Sequence, residues 1–318
     1  VPPAYETSET LFQGYPARAL TAHGAGLEAV FAPQIGMVGC SLTHDGDELL
    51  GHRGGLARYE ATGSTMGIPL LHPWANRLGG LSYAAAGPTV KLDPESPQIR
   101  TDPNGLPIHG LVNASPYWEL LGAAADGQAA RLSAMLDFGA HPELLEPFPF
   151  PHQIRLDASL RENALTVRAS VTAGPASAVP LSFGFHPYLV LPGVPRADWQ
   201  VEIPLTERFV LDERMIPTGE IETVEPYSGP LGERTFDDGY AGAGEGTTFA
   251  LSGGGRRIEL ELQGGYRFAQ VYAPDSEDTI CFEPMTAPTD ALRSGRELQL
   301  VPPGKTRSAT FAIRVERA

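Results

Sequence analysis

Ile154, Leu156, Ala158 and Leu160 alternate with polar side chains, and after Glu162-Asn163 the alternation resumes at Leu165, Val167, Ala169 and Val171. A period of two puts successive side chains on opposite faces of an extended chain, so all eight apolar groups share one face. The segment therefore predicts an antiparallel hairpin with one wet face. The same period returns at 258–262 and at Ala309, Phe311, Ile313 and Val315. Residues 27–31 and 37–42 read as short strands separated by Pro33 and Gly36, with Asp45-Gly46 marking a turn. The first thirty residues show no firm period, and 63–81 reads as a loop with short extended pieces. Helical patterns are few and short, the best lying at 288–298, where Ser294-Gly295 interrupts it. With 36 glycines and 30 prolines spread over 318 residues, the chain is turn-rich rather than helical. These features predict an all-β fold of large antiparallel sheets with few short helices, in one domain over 1–318. Residues 239–255, with seven glycines, read as a hairpin excursion and not a domain boundary.

The 23 basic and 38 acidic residues leave a formal charge of −15. Such a surface repels nucleic-acid backbones and anionic membranes, so the expected partner is a neutral small molecule. Cys40 and Cys281 lie among hydrophobic residues and read as buried free thiols, not as a disulfide scaffold. No basic segment leads into an apolar run, and no stretch approaches the ~20 apolar residues of a membrane span. A soluble, cytoplasmic protein is expected, and a monomer or a homodimer fits equally.

Glu283, in Thr279-Ile280-Cys281-Phe282-Glu283-Pro284-Met285, is a carboxylate among apolar neighbours. Burial there would raise its pKa from about 4.3 toward neutrality, where a carboxylate is a competent general base. A structural partner such as a buried arginine would also account for it. On the 181–189 segment, Ser182, Gly184, His186 and Tyr188 share one face, so His186 projects over small neighbours with Tyr188 as a wall. A rim hydrogen bond would equally explain His186. His109 follows the Asn104-Gly105 turn and is expected to enter a strand, with Gly110 admitting a close approach to ligand or backbone. Trp74, Asn76 and Arg77 offer an aromatic face and two hydrogen-bonding groups within four positions, although Trp74 could be core and Arg77 could serve a structural ion pair. Asp237, in Asp237-Asp238-Gly239, is a candidate for binding hydroxyls or an ordinary turn residue. Gln270 shares a face with Phe268 and Tyr272 and is a weaker candidate for the same cleft.

The ordered motifs Asn76-Arg77, His109-Gly110, His186-Pro187-Tyr188 and Glu283-Pro284 resemble the aldose 1-epimerase (galactose mutarotase) family, over about 37–315. The resemblance implies a single β-supersandwich that interconverts the α and β anomers of a free hexose without cofactor or metal. It implies that Glu283 is the general base at the C1 hydroxyl and His186 the general acid at the ring oxygen. It implies that Arg77 and His109 hold the sugar, with Asp237 a less secure match. The chain departs from the galactose-active pattern at His72-Pro73-Trp74-Ala75 and at Phe185-His186-Pro187-Tyr188, which leaves the preferred aldose open.

Three other readings compete. A hexose-6-phosphate 1-epimerase would need a cationic pocket, with Arg77 and one of Arg208, Arg214 or Arg267 as its source. The whole-chain charge argues for a free hexose over its 6-phosphate. A non-catalytic carbohydrate-binding protein could stack a sugar on Trp74, Tyr188 or Tyr240. A metal centre from His72, His109, His186 and Glu283 lacks the close histidine spacing on one strand that such centres use.

Overall fold

In the computed structural model, which describes residues 3–317, the alternating segment forms strands His152–Arg161 and Ala164–Ala173. They pair antiparallel from His152↔Ala173 to Arg161↔Ala164, and Glu162 turns the corner in the left-handed region at φ 52°. Every apolar side chain on the alternating positions is buried.

This hairpin sits within a nine-stranded antiparallel sheet. Its spatial order is Tyr227–Pro230, Gln200–Ile203, Thr248–Gly253, Arg256–Gly264, Thr306–Arg317, Ala164–Ala173, His152–Arg161, Ala130–Asp137 and Glu119–Ala125. A second sheet has eight strands. Pro217–Thr223, Glu207–Leu211, Phe236–Ala241, Phe268–Ala273, Ile280–Met285, Gly184–Phe185 and Leu70–Leu71 follow one another, and Tyr188–Leu189 also pairs with Ile280–Met285. The sheets meet through rings: Phe249 stacks on Phe282 with centroids 5.1 Å apart, and Phe185 meets Phe311 edge-on at 5.1 Å. Each fully buried large side chain of this interface is worth roughly 1.5–3 kcal/mol of transfer free energy. The expectation of an all-β fold of large antiparallel sheets with few short helices is met.

Tyr5–Phe12, Tyr15–Ala22, Leu27–Ala32, Val38–His44 and Asp47–Glu48 form a third, five-stranded sheet against the nine-stranded one. Its first two strands are not visible in the hydrophobic pattern, for a physical reason. Tyr5–Phe12 is nowhere fully buried, so it needs no apolar face, and Tyr15–Ala22 fills its buried positions largely with alanine.

Two expectations are corrected, and one short helix is added. The 288–298 helical pattern shrinks to the single turn Ala291–Ser294, ended by Gly295 at φ 70°. Gly55–Thr62 forms an unanticipated helix, because only Leu56 and Tyr59 bury beyond its first residue and two apolar side chains make a faint stripe. Residues 239–255 are not an excursion within one hairpin. They carry the chain from Phe236–Ala241 in the eight-stranded sheet to Thr248–Gly253 in the nine-stranded one. Cys40 and Cys281 are both free and buried, and among the described residues no helix is long and apolar enough to cross a membrane.

Candidate active site

All six residues of Ile280–Met285 are buried, which forces its two faces into different roles. Phe282 points to the inter-sheet core, so Glu283 points the other way. Register carries this second face across the sheet. Gln270 pairs with Glu283, Tyr272 with Cys281 and Asp237 with Tyr272, while Tyr188 pairs with Cys281 on the other side. Alternation then gathers Glu283, Gln270, Tyr272, Asp237 and Tyr188 over one stretch of sheet. The stretch floors a cavity of about 140 Å³, whose walls include Asn76, Arg77, Ile108, His109 and His186.

The walls come from loops, and Asn76 and His109 are among the lining residues whose backbone shapes L side chains rarely adopt. Asn76 has φ 54° and His109 φ 65°. The loops hold each other: His109 N donates to Asn76 O at 2.9 Å, Leu78 N to Pro107 O at 2.8 Å, and Asn113 Nδ2 to His109 O at 2.8 Å. Such over-determination is what keeps a left-handed non-glycine residue in place. His109 therefore lies in a loop, not at the entry to a strand. Gly110 is needed for the backbone, not the ligand: at φ 72°, a Cβ there would lie 2.2 Å from the His72 carbonyl oxygen.

Arg77 is tied on several sides. Its Nε donates to Asp102 Oδ2 at 2.9 Å, its Nη1 donates to Asn76 Oδ1 at 3.0 Å, and its Nη2 lies 3.6 Å from Asp237 Oδ2. Gln270 Nε2 donates to Asp237 Oδ1 at 2.7 Å, and Gly239 leaves room for the Gln270 amide, which a Cβ would approach to 3.1 Å. Gln270 thus steadies Asp237 beneath the cleft and is not among the lining residues.

At the centre, Glu283 Oε1 lies 3.2 Å from His186 Nε2, with both side chains almost wholly buried. Burial, helped by the Asp237 charge and opposed by Arg77, holds the Glu283 carboxyl well above the usual carboxylate range. Burial, reinforced by the charge of Arg53, pulls His186 down to about 3. Burial likewise holds His109 well below an ordinary imidazole. The Tyr188 ring stacks on the His186 imidazole at 4.3 Å and 7°, and its hydroxyl lies 3.3 Å from His186 Nε2. Glu283 Oε2, His186 Nδ1 and His109 Nδ1 are buried without a hydrogen-bond partner. Orphaned polar atoms are costly, and all three belong to side chains that line this cavity.

Two aromatic candidates do not reach this site. Trp74 is 1% exposed and packs in the main core, and Tyr240 is buried in that same core. An indole of that size completes the hydrophobic interior more readily than it lines a small polar cleft. His72 is separate from His109 and His186. Its Nε2 meets His152 Nε2 at 2.8 Å among Phe138, Phe148 and Phe183. Arg208, Arg214 and Arg267 pair elsewhere with Glu222, Asp212 and Glu297. Among the described residues, no group of three His, Cys, Asp or Glu side chains has metal-holding geometry.

The cleft also contains residues that sequence reasoning did not single out: Arg53, Thr65, Arg100 and Tyr272. In the sequence pattern Tyr272 does no more than share the Gln270 face. Arg53 had a signal in the following Gly54-Gly55, since Arg53 itself is left-handed at φ 46°. Arg100 had none, because only the folding of its loop brings it to His186.

The family model described as aldose 1-epimerase matches residues 20–314. The chain is 24% identical to the uncharacterized protein YihR of Escherichia coli over 263 residues, 79% of this chain and 81% of that protein. A galactose mutarotase-like protein from Clostridium acetobutylicum superposes with a TM-score of 0.82 at 19% identity, covering 99% of both chains. Galactose 1-epimerase from Lactobacillus acidophilus superposes with a TM-score of 0.75 at 14% identity, again over 99% of both. At these identities the structural likeness establishes the shared fold.

Proposed function

The chain belongs to the aldose 1-epimerase family, and on that premise we propose that it interconverts the α and β anomers of an aldohexose whose anomeric hydroxyl is free. The observation that carries the reading is the buried Glu283–His186 contact at 3.2 Å between two side chains that line one cavity, each with a further polar atom that has no partner.

Anomer exchange needs one proton removed at O1 and one delivered at the ring oxygen. The pair holds one proton between them. With a sugar bound, Glu283 as carboxylate takes the O1 proton, the C1–O5 bond breaks as C1=O1 forms, and His186 as imidazolium protonates O5. Glu283 is then a carboxylic acid and His186 neutral, the forms that burial favours in the empty cleft. Half a turn about C1–C2 presents the other aldehyde face, and the reverse transfers close the ring. Protons and electrons balance with no change of oxidation state, so the reaction as written calls for no redox cofactor or metal. Arg77, Asp237 and His109 orient the ring hydroxyls, and holding O1 and O5 against fixed groups lowers the entropic part of the barrier.

The test is the optical rotation of freshly dissolved α-D-glucose and α-D-galactose at catalytic protein concentration. Mutarotation faster than in buffer is expected for at least one, and wild-type rates equal to buffer for every aldose tried would remove the reading.

A further inference from the structure

We infer that two copies of this chain join edge to edge along Glu119–Ala125, antiparallel, with Glu119 of each copy opposite Ala124 of the other.

The three large sheets have six edges, and five of them carry a device against pairing with another chain. Leu70–Leu71 and Asp47–Glu48 are only two residues long. Tyr227–Pro230 follows Pro226 and ends on a proline, which has no N–H to give. Tyr5–Phe12 carries Glu6 and Glu9, and Pro217–Thr223 carries Glu220 and Glu222 besides its proline. Short length, proline and charge are common guards of a sheet edge. Beyond its first residue, Glu119–Ala125 has none of these. It continues Leu-Leu-Gly-Ala-Ala-Ala, and all seven of its residues are exposed, Leu120 to 36% and Leu121 to 49%. Nothing in the described chain covers the strand, so its outer row of backbone N–H and C=O groups is open to a further strand.

Charge selects the partner. At −15, most of this surface repels a copy of itself, whereas 120–125 has no charge to repel one and none to hold a charged partner. Antiparallel pairing of a strand with its own copy is the isologous contact of a two-fold dimer. The strand's one irregularity leaves that pairing possible and fixes its register. Leu121 is the extra residue of a bulge between the pairs Ser133↔Gly122 and Ala134↔Leu120. The bulge brings Glu119, which pairs with Met135, onto the same outer face as Ala124, which pairs with the exposed Arg131. When Glu119 stands opposite Ala124 of the second copy, outer face therefore meets outer face, and Leu120 meets Ala123 on the inner one. Glu119 is then two strand spacings, about 9.6 Å, from Arg131 of the second copy, with only the Ala124 methyl between them. Glutamate and arginine side chains together span that gap. Arg131 now holds Asp126 at 2.7 Å, and both are solvent-exposed, so the guanidinium can be shared. Two-fold symmetry makes the Glu119–Arg131 contact twice. One strand pair is smaller than the roughly 1,200–2,000 Å² of a standard stable interface, so dimerisation belongs in the micromolar range.

Sedimentation velocity on the full chain, from about 1 to 500 µM, measures this directly. A monomer–dimer equilibrium is expected for the wild type. Leu121→Lys places a cation in the apolar stretch near the two-fold axis and should weaken the dimer about tenfold or more. Glu119→Arg and Arg131→Glu should each weaken it about fivefold or more, and the two together should return it to within about threefold of wild type, because the reversed pair is again complementary. Circular dichroism shows whether each variant is folded, and the exposed Glu119 and Arg131 can be changed without touching the core. A wild-type chain that stays monomeric up to the highest concentration overturns the inference. So does a dimer indifferent to all three single changes, or one that the paired charge reversal fails to restore.

Discussion

Glu283 Oε1 stands 3.2 Å from His186 Nε2, while the second polar atom of each, Glu283 Oε2 and His186 Nδ1, is buried with no partner. The two side chains come from segments nearly a hundred residues apart. Each is satisfied on one side by the other and unsatisfied on its remaining polar atom, so neither reads as a structural ion pair that is complete in itself.

Glu283→Gln keeps the shape of the side chain and removes its basicity. The variant is expected to fold, to bind sugar, and to lose about 10²–10⁴-fold in turnover. Polarimetry with a binding measurement separates the two effects, and turnover within about tenfold of wild type excludes Glu283 as the essential base.

His186 and His109 lie with ring centroids 5.4 Å apart, yet only His186 touches Glu283. His186→Asn should lose about 10²-fold or more in kcat, whereas His109→Asn should act chiefly through KM, because the proposed reaction gives it only the orienting of the sugar. Near-wild-type kinetics in both variants would contradict this division of roles.

Acidity acts on these groups in a defined direction. His186 and His152 have folded values pulled down to about 3 and about 4, chiefly by burial. A depressed value contributes stability that is present above the unfolded value near 6.5 and lost as pH falls through that window toward the folded value. Each group then removes up to about 1.4 kcal/mol per pH unit. Denaturant unfolding of wild type and His152→Leu at pH 7, 6 and 5 should show a shallower loss in the variant. For the same reason His186 should contribute no inflection to kcat/KM near pH 6.5, and an acid limb centred there that persists in Glu283→Gln would mean that His186 titrates as a solvated imidazole.

Trp74 supplies the opposite control. As a core side chain it should cost about 3–5 kcal/mol when truncated to alanine, with little change in KM for the folded fraction. A large KM effect with unchanged stability would return the indole to the sugar.

In the proposed reaction Gln270 acts on substrate only through Asp237, to which it donates. Gln270→Leu should raise KM several-fold with a smaller effect on kcat, because it loosens the carboxylate that meets the sugar and leaves the acid–base pair in place. Unchanged KM would show that Arg77 alone holds Asp237.

Strand character was legible wherever one face is buried and the other wet, as at Ile154–Leu160 and Leu165–Val171, because solvation alone imposes a period of two there. The same logic marked Glu283 as an anomalous charge, and alternation assigned Tyr188 and His186 to one face before any contact was known. It was blind at Tyr5–Phe12, where neither face is fully covered. It also could not tell a core indole from a sugar platform at Trp74, since both look like an aromatic beside polar loop residues. What only the tertiary structure decided is which charges share the cleft. Arg53, Arg77 and Arg100 act on His186 from different loops although the chain is acidic overall, while Asp237 is the first charge felt at Glu283. Composition adds charges without regard to position, while electrostatic energy falls with distance and with screening. Folding therefore sets the sign of the field at the site, which a sum over the sequence does not contain.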